Sequence, residues 1–589
     1  VFEQVKNPVA GSLALSAVCA AIPLVTLFVL LGVLRLKAWL AGLISLVVAL
    51  VLAIVAFRMP VGQALLSATE GAAFGFFPIL WIVINAIWVY NLTVATGHFD
   101  VLRRSFEKVS PDQRIQAIII AFCFGALLEA LAGFGTPVAI TVVMLMALGF
   151  QPIKAAAVAL IANTAPVAFG ALATPIVTLA TVTSGVNDDS RLTVETLGAM
   201  VGRQTPILAA IVPLVLVFVV DGRRGVRETW LPALTAGLSF ALAQYVAANF
   251  ISVPLTDIIA SLVSAAAVVA VVRMRRGVPA GAVEAPVTAS AAAGGRGTAT
   301  GRPGATAGEE LGDAPGRQDR RDDAAPASSA GTGTGEAVDD SRSEVVKAYA
   351  PYGIIIVIFA LANLGPVKAA LAEEPWTYVF QWPGLNVFAT GASDELASTS
   401  FTFNWLPAAG TLMILAGILT ALVLRISPGT ALRTYAQTYV ELRWAIATVM
   451  AVLALAYVMN QSGQTGTLGT ALAQTGSFFA FLAPILGWIG VAVTGSDTSA
   501  NALFGALQVQ TAAGAGLDPL LLAAANSSGG VLGKMVSPQN LAIAAAAVGM
   551  HGREGDLFRK VFGWSIGLLL LMCVIVVLQA TPVLGWMVP

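Results

Sequence analysis

Long apolar runs succeed one another along this chain, separated by short polar segments that hold most of its Arg and Lys. They fall near 12–34, 38–57, 72–96, 155–182, 204–220, 229–250, 255–272, 348–364, 406–424, 444–460, 519–548 and 561–581. Each reads as a helix long enough to cross a bilayer, which predicts about twelve spans. Two further apolar stretches, 115–150 and 470–512, are interrupted by GFGTP and GSDTSAN. Each of these predicts a re-entrant hairpin that enters and returns on one side. The basic residues test the count. With Arg35 and Lys37 cytoplasmic, alternation puts Arg103, Arg104, Lys108 and Arg114 on the same side. It also puts there Arg223, Arg224 and Arg227, then Arg273, Arg275 and Arg276, then 425–443 and 553–560. That is the cytoplasmic bias expected of a multi-pass protein, and it places both termini outside.

One segment breaks the pattern. Residues 274–345 are Gly, Ala, Thr, Pro and charge with almost no large apolar side chains. Such a segment cannot bury enough surface to offset chain entropy, so it reads as a disordered cytoplasmic linker. It separates a first membrane half, 1–273, from a second, 346–589.

Composition agrees with this reading. At 57% hydrophobic and 11% charged residues, with mean hydropathy +0.84, the fold class is an all-α polytopic membrane protein. The 32 basic and 32 acidic residues cancel, so net charge makes no case for a nucleic-acid partner. Cys19, Cys123 and Cys573 sit in apolar stretches without metal or disulfide spacing and read as small core residues. The first residues, VFEQVKNPVAG, lack the charged region and cleavage site of a signal peptide, so the first run reads as a permanent span.

The halves resemble each other. Residues 162–175, ANTAPVAFGALATP, and 525–538, ANSSGGVLGKMVSP, share Ala-Asn, six residues, Gly, three residues, Ser or Thr, then Pro. Upstream, Asn91, Thr96 and Gly97 match Asn460, Thr465 and Gly466 at identical spacing. Each half therefore reads as span, hairpin, broken span, with the broken spans at 155–182 and 519–548. Alternation gives the two repeats opposite orientations. Inverted repeats with hairpins and interrupted helices are the architecture of secondary transporters, whose site lies near the midplane where the broken elements meet.

Four polar stretches are expected to converge there. They are Gly133, Phe134, Gly135 and Thr136 before Pro137; Asn163 and Thr164; Ser496, Asp497, Thr498 and Ser499 with Asn501; and Asn526, Ser527 and Ser528 before Gly529 and Gly530. Hydroxyls, carboxamides and exposed N–H groups suit a small hydroxylated anion. The helix starts at Thr136-Pro137 and after Ser499 would offer unpaired N–H donors to a carboxylate. Any one of these side chains could equally bond helix to helix. Glu129 lies one turn before the first tip, roughly 6 Å along the axis, and Asp497 lies in the second. An unpartnered charge at membrane depth costs ~3 kcal/mol or more, so both carboxylates are candidates for proton coupling or site formation. Lys534 is either a substrate cation or the structural partner of Glu129 or Asp497.

Carrying an anion inward against about 100 mV costs ~2.3 kcal/mol, and a proton carried with a monocarboxylate removes that cost. A sodium site at the same broken helices would also remove it. His98 and His551 fall in predicted loops, and no Ser-His, Cys-His or HExxH arrangement exists, so enzymatic chemistry and a metal centre are not expected. A passive channel would not need two opposed repeats with ionisable tips.

At these residues the chain resembles the L-lactate permease family, bacterial proton-coupled carriers of lactate and glycolate. The resemblance rests on EALAGFGTPVAI at 129–140, GSDTSANALFGALQ at 495–508 and AAANSSGGVLGKMVSPQN at 523–540. It extends over most of both membrane halves. It implies a 2-hydroxymonocarboxylate substrate (L-lactate, D-lactate or glycolate), proton symport at the bacterial plasma membrane, and no cofactor beyond the proton. It also implies a relation to the larger ion-transporter superfamily, with a scaffold domain, a moving transport domain that carries both hairpins, and elevator-type alternating access. A homodimer is a further expectation. The 274–345 segment departs from the family pattern. The rival is a sodium-coupled dicarboxylate carrier, against which stands the single Lys534, since two substrate carboxylates call for more positive partners.

Overall fold

Proline, serine, aspartate and glycine cut the apolar runs into helices where the chain must turn. The computed structural model describes residues 1–133, 135–187, 189–275, 340–389, 395–550 and 553–589. Its first half holds α1 (Leu13–Phe28), α2 (Ala38–Val55), α3 (Val61–Phe74), α4 (Trp81–Ala95), α5 (His98–Glu107), α6 (Gln113–Ala132), α7 (Thr136–Ala147), α8 (Pro152–Ala162), α9 (Gly170–Thr183), α10 (Val194–Val246) and α11 (Thr256–Arg275). The second holds α12 (Arg342–Ala362), α13 (Gly365–Leu371), α14 (Ala409–Val423), α15 (Pro428–Gln461), α16 (Gln464–Ala473), α17 (Phe479–Thr494), α18 (Asp497–Ala515), α19 (Pro519–Gly533), α20 (Pro538–Ala547) and α21 (Glu554–Gln579). The chain is not wholly helical. β1 (Phe2–Glu3) pairs in parallel with β3 (Val387–Phe388), and β2 (Tyr378–Gln381) pairs antiparallel with β4 (Ser400–Phe403).

Among the described residues ten helices are long and apolar enough to cross a membrane, or eleven if the bent pair α8 and α9 is one span. The sequence reading counted twelve, and the difference has identifiable sources. α14, expected as a span, has only 15 residues. α10 is one helical run by hydrogen bonding, yet Asp221, Gly222 and Thr229 leave helical geometry. A Cβ added at Gly237 would overlap the Ala210 backbone, and one at Gly202 would overlap Ala248. The two limbs of α10 therefore pack antiparallel, matching the separate runs at 204–220 and 229–250.

The expected linker is narrower than 274–345 at both edges, since α11 continues to Arg275 and α12 begins at Arg342. Its interior, 276–339, lies outside the described residues. His98 opens α5 instead of lying in a loop, and His551 lies outside the described residues.

Both apolar stretches with broken middles form helix-turn-helix pairs. α6 ends at Ala132, Gly133 takes a positive φ of 25°, and α7 restarts at Thr136 with Pro137 in its first turn. Proline costs nothing there because that N–H has no helical partner. In the second half α17 stops at Gly495, whose φ of 76° is glycine territory, and α18 starts at Asp497. This start comes before Ser499, where sequence alone placed it, because Ser496 is the N-cap and accepts from the Ser499 N–H.

The two broken spans differ. α8 ends at Ala162, Pro166 prevents continuation, and Ala171, Leu172 and Ala173 all take φ between 44° and 60° before α9 settles. The bend is 62°. In α19, by contrast, the helix runs unbroken through Asn526, Ser527, Ser528, Gly529 and Gly530, and the break falls at 534–537. Its small residues serve packing, since added Cβ atoms at Gly529 and Gly533 would overlap the Pro484 and Trp488 backbones of α17. The upstream repeat match also shifts. The left-handed glycines are Gly97 and Gly463, so Gly466 is not the counterpart of Gly97.

Each tip closes against the other half. Gly135 lies on Asn540 and Ile543 of α20. Asn501 of α18 donates to the Pro175 carbonyl of α9 at 3.1 Å, and four residues on, Gly505 lies against Leu179. α9 and α18 thus run side by side in the same direction. At their far ends a pocket of about 710 Å³ is lined by Gly185, Asn187, Gln510 and Gly514 together with Gln4 and Lys6 of the N-terminal segment. Their near ends meet the break of α8 and α9 and the second tip.

Candidate functional site

At those near ends is a small cavity of about 40 Å³. Its walls are Glu129 and Gly133 from the first tip, Gly170, Ala171 and Thr174 from the first break, Ser496, Asp497 and Thr498 from the second tip, and Lys534 with Gln539 from the second break. Elements expected to converge from both halves do so here.

The charges are organised as a pair and a single acid. Lys534 Nζ donates to Glu129 Oε1 at 2.5 Å, with both side chains more than nine-tenths buried. Asn163 Nδ2 donates to the other oxygen, Glu129 Oε2, at 2.9 Å. Glu129 needs room, and Gly170 leaves it, because a Cβ there would stand 2.9 Å from Oε1. Asp497 has a different environment. Ser527 Oγ donates to Asp497 Oδ2 at 2.6 Å and Asn501 Nδ2 at 3.4 Å. Asp497 Oδ1 has no hydrogen-bond partner among the described residues. Asp497 stands in the first turn of α18, where the helix N-terminus favours negative charge. With two carboxylates and one ammonium, the cluster carries a net negative charge when all three are ionised.

Six of the expected residues line the cavity: Glu129, Gly133, Ser496, Asp497, Thr498 and Lys534. Asn163, Asn501 and Ser527 stand one layer behind and hold the carboxylates. Asn526 braces that layer, donating to Asn501 Oδ1 at 2.9 Å and accepting from Gln508 Nε2 at 3.1 Å. The Ser499 N–H is used by the Ser496 cap.

Others are not brought in. Ser528 donates to Gln204 Oε1 at 2.6 Å, on the face of α19 turned to α10, because one further residue of helix past Ser527 rotates it about 100° away from Asp497. Thr164 bonds back to the Ile161 carbonyl. Gly135 and Thr136 lie beyond the cavity wall, where Gly135 meets α20 and the Thr136 N–H closes the turn onto Gly133 O at 3.1 Å. Phe134 lies outside the described residues.

Sequence reasoning missed Gln539, Thr174 and Gly170, although all three lie in or beside the matched segments. It also missed two wholly buried carboxylates, Glu70 on α3 and Asp257 on α11. Glu70 accepts from Gln461 at 2.6 Å in the contact between α3 and α15, away from the cavity. Asp257 lies inside a predicted span, so the rule that singled out Glu129 would have found it.

A family model described as L-lactate permease matches residues 16–300 and 317–583. Only 301–316 falls between the matched parts, so the 274–345 segment departs less from the family than its composition suggested. The chain is 39% identical to an L-lactate permease of Bacillus subtilis (strain 168), with all of both chains covered. It is 40% identical to the glycolate permease GlcA of Escherichia coli (strain K12), over 98% of each chain. An L-lactate permease of the same Escherichia coli strain is 39% identical over the full length of both.

Proposed function

The chain belongs to the L-lactate permease family, and on that premise we propose that it carries L-lactate and related 2-hydroxymonocarboxylates, glycolate and D-lactate included, across the bacterial plasma membrane together with a proton. It is a multi-pass membrane transporter and not an enzyme. The observation that carries the finer reading is the unequal charge set around one cavity: a lysine already paired with Glu129, and Asp497 facing the same space without a cation of its own.

The arrangement can act as follows. The substrate carboxylate approaches Lys534 and the first-turn N–H groups of α18, while Thr498 and Gln539 take the 2-hydroxyl. Adding that anion to a cluster that is already negative is unfavourable in a low-dielectric space. A proton on Asp497 offsets the added anion, so anion and proton enter together, the loaded site carries the same charge as the empty one, and the cycle moves no net charge. In this reading Glu129 keeps Lys534 in place and Asp497 carries the proton.

Movement follows from how the helices cluster. One hydrophobic cluster gathers α1 to α4 with α15, and it meets the site-bearing helices through Ala171, Val182, Ala502, Leu503, Phe504 and Leu507. Phe28 and Phe504 face each other there, ring centroids 6.0 Å apart. An apolar contact of this kind has few directional bonds to break on sliding, which supports an elevator movement of the two tips and broken helices against a fixed scaffold. The tips then act as re-entrant hairpins.

Uptake of labelled L-lactate into proteoliposomes tests the proposal, with an inward proton gradient and sodium absent. Accumulation above equilibrium that a protonophore collapses is expected. Uptake that requires sodium, or that never exceeds equilibrium, would overturn proton coupling.

A further inference from the structure

Behind the first break stands a carboxyl that the mechanism above does not use. Asp257 lies in the first turn of α11 and is wholly buried. Gln244 Nε2 donates to Asp257 Oδ1 at 3.0 Å, and the same nitrogen reaches the Ala165 carbonyl, inside the break between α8 and α9, at 3.4 Å. Thr205 Oγ1 donates to Gln244 Oε1 at 3.3 Å. Asp257 Oδ2 has no hydrogen-bond partner, and no Lys, Arg or His pairs with Asp257 among the described residues.

The helices packed on α11 add one charge that matters. α6 packs against it and carries Glu129, a second acid on the neighbouring helix. Cys123 of α6 is engaged with Ser264, at 3.4 Å. Tyr245, next to Gln244 on α10, is exposed. A carboxylate so placed is costly while ionised, and a proton relieves that cost.

We propose that Asp257 is a second proton-holding carboxyl of the transport cycle, with Gln244 passing its protonation state to the broken helix at Ala165. The inference rests on the proton-coupled reading. An ionised Asp257 only accepts, so it holds the Gln244 amide N–H group, as seen here. A protonated Asp257 gains an O–H to donate, and the amide already bonded to it can present its carbonyl as the acceptor by turning over. That turn takes the amide N–H away from the Ala165 carbonyl and the amide oxygen away from Thr205. Proton occupancy is thereby converted into the hydrogen bonding of the break that borders the site.

The test uses the full-length protein in proteoliposomes and two assays on one preparation: lactate accumulation driven by a gradient of about one pH unit, which one proton can convert into about tenfold accumulation, and lactate counterflow at equal pH. Asp257→Asn is expected to lose accumulation while counterflow stays within about threefold of the parent. Unchanged accumulation overturns the proposal, and so does loss of both activities in a folded variant, which would mark a structural role. If Asp257→Asn fails to fold, Gln244→Leu keeps the carboxyl and removes its only donor among the described residues. It should shift the pH profile of counterflow by about half a unit or more, and an unshifted profile overturns the proposal. Failure of the parent protein to accumulate lactate in the proton gradient would instead remove the coupled reading, and this inference with it.

Discussion

Lys534 donates to Glu129 at 2.5 Å across 405 residues of sequence, and neither side chain has a second ion partner among the described residues. Truncating one member leaves a buried charge unpaired, a loss of about 3–5 kcal/mol, whereas removing both removes the penalty. Glu129→Gln and Lys534→Met should therefore each lower the unfolding temperature in detergent, with the double variant closer to the parent than either single one. Thermal unfolding of the four proteins checks this. A double variant as damaged as the sum of the two would mean that the pair contributes nothing as a pair.

Asp497→Asn keeps the hydrogen bonds of Ser527 and Asn501 in place while removing the charge. Counterflow of lactate should persist within about tenfold, and pH-driven accumulation should vanish. Accumulation equal to that of the parent would take the proton away from Asp497.

Gly487 packs so closely on the Asn526 carbonyl that a methyl group cannot fit without parting α17 from α19. Overpacking of this kind costs typically about 1–3 kcal/mol and more where backbone must move. Gly487→Ala should lower the yield of monodisperse protein and abolish transport. Gly567→Ala on α21, where an added methyl meets open space, should do neither.

Outside the membrane-spanning helices, Arg191 bonds both Asp189, at 2.7 Å, and Asp518, the N-cap of α19, at 3.0 Å. Its guanidinium holds the Asp189 carboxyl below the usual aspartate range. Folded Asp189 thus binds its proton more weakly than the unfolded chain does. The resulting stabilisation is complete above about pH 4, near the ordinary aspartate value, and is lost as pH falls through the lower folded value. Unfolding temperature measured from pH 7 down to pH 3 should fall on the acid side, and Arg191→Ala should flatten that acid step while lowering stability at pH 7.

Much of the architecture was legible because a sharp turn between two apolar helices needs particular residues. Gly133 with Pro137, and Gly495 with Ser496, mark the tips in sequence and in structure alike. The small residues 526–530 were not legible in the same way, since glycine and serine serve a turn and a close helix contact equally well, and here the backbone of α17 decides for contact. Glu129 and Asp497 stood out by charge, but which of them takes Lys534 depends on geometry across the two halves. Ser528 was misplaced for a rotational reason, one residue of helix past Ser527. Gln204 carries no local signal, because its partners Ser528 and Gln579 lie far away in the chain.

The crossing of each tip onto the other half has a consequence for how the protein is made. The ribosome delivers Glu129 to the membrane long before Lys534 exists. At about 5–20 residues per second, the intervening 405 residues take on the order of 20 to 80 s. Through that interval the first tip lacks Ile543 and Asn540 against Gly135, and Glu129 lacks its ammonium. A chain cut between the halves therefore presents the insertion and quality-control machinery with an acid at membrane depth and no counter-ion. Coexpressed halves should protect each other from proteolysis, since each supplies the surface on which the other's tip closes.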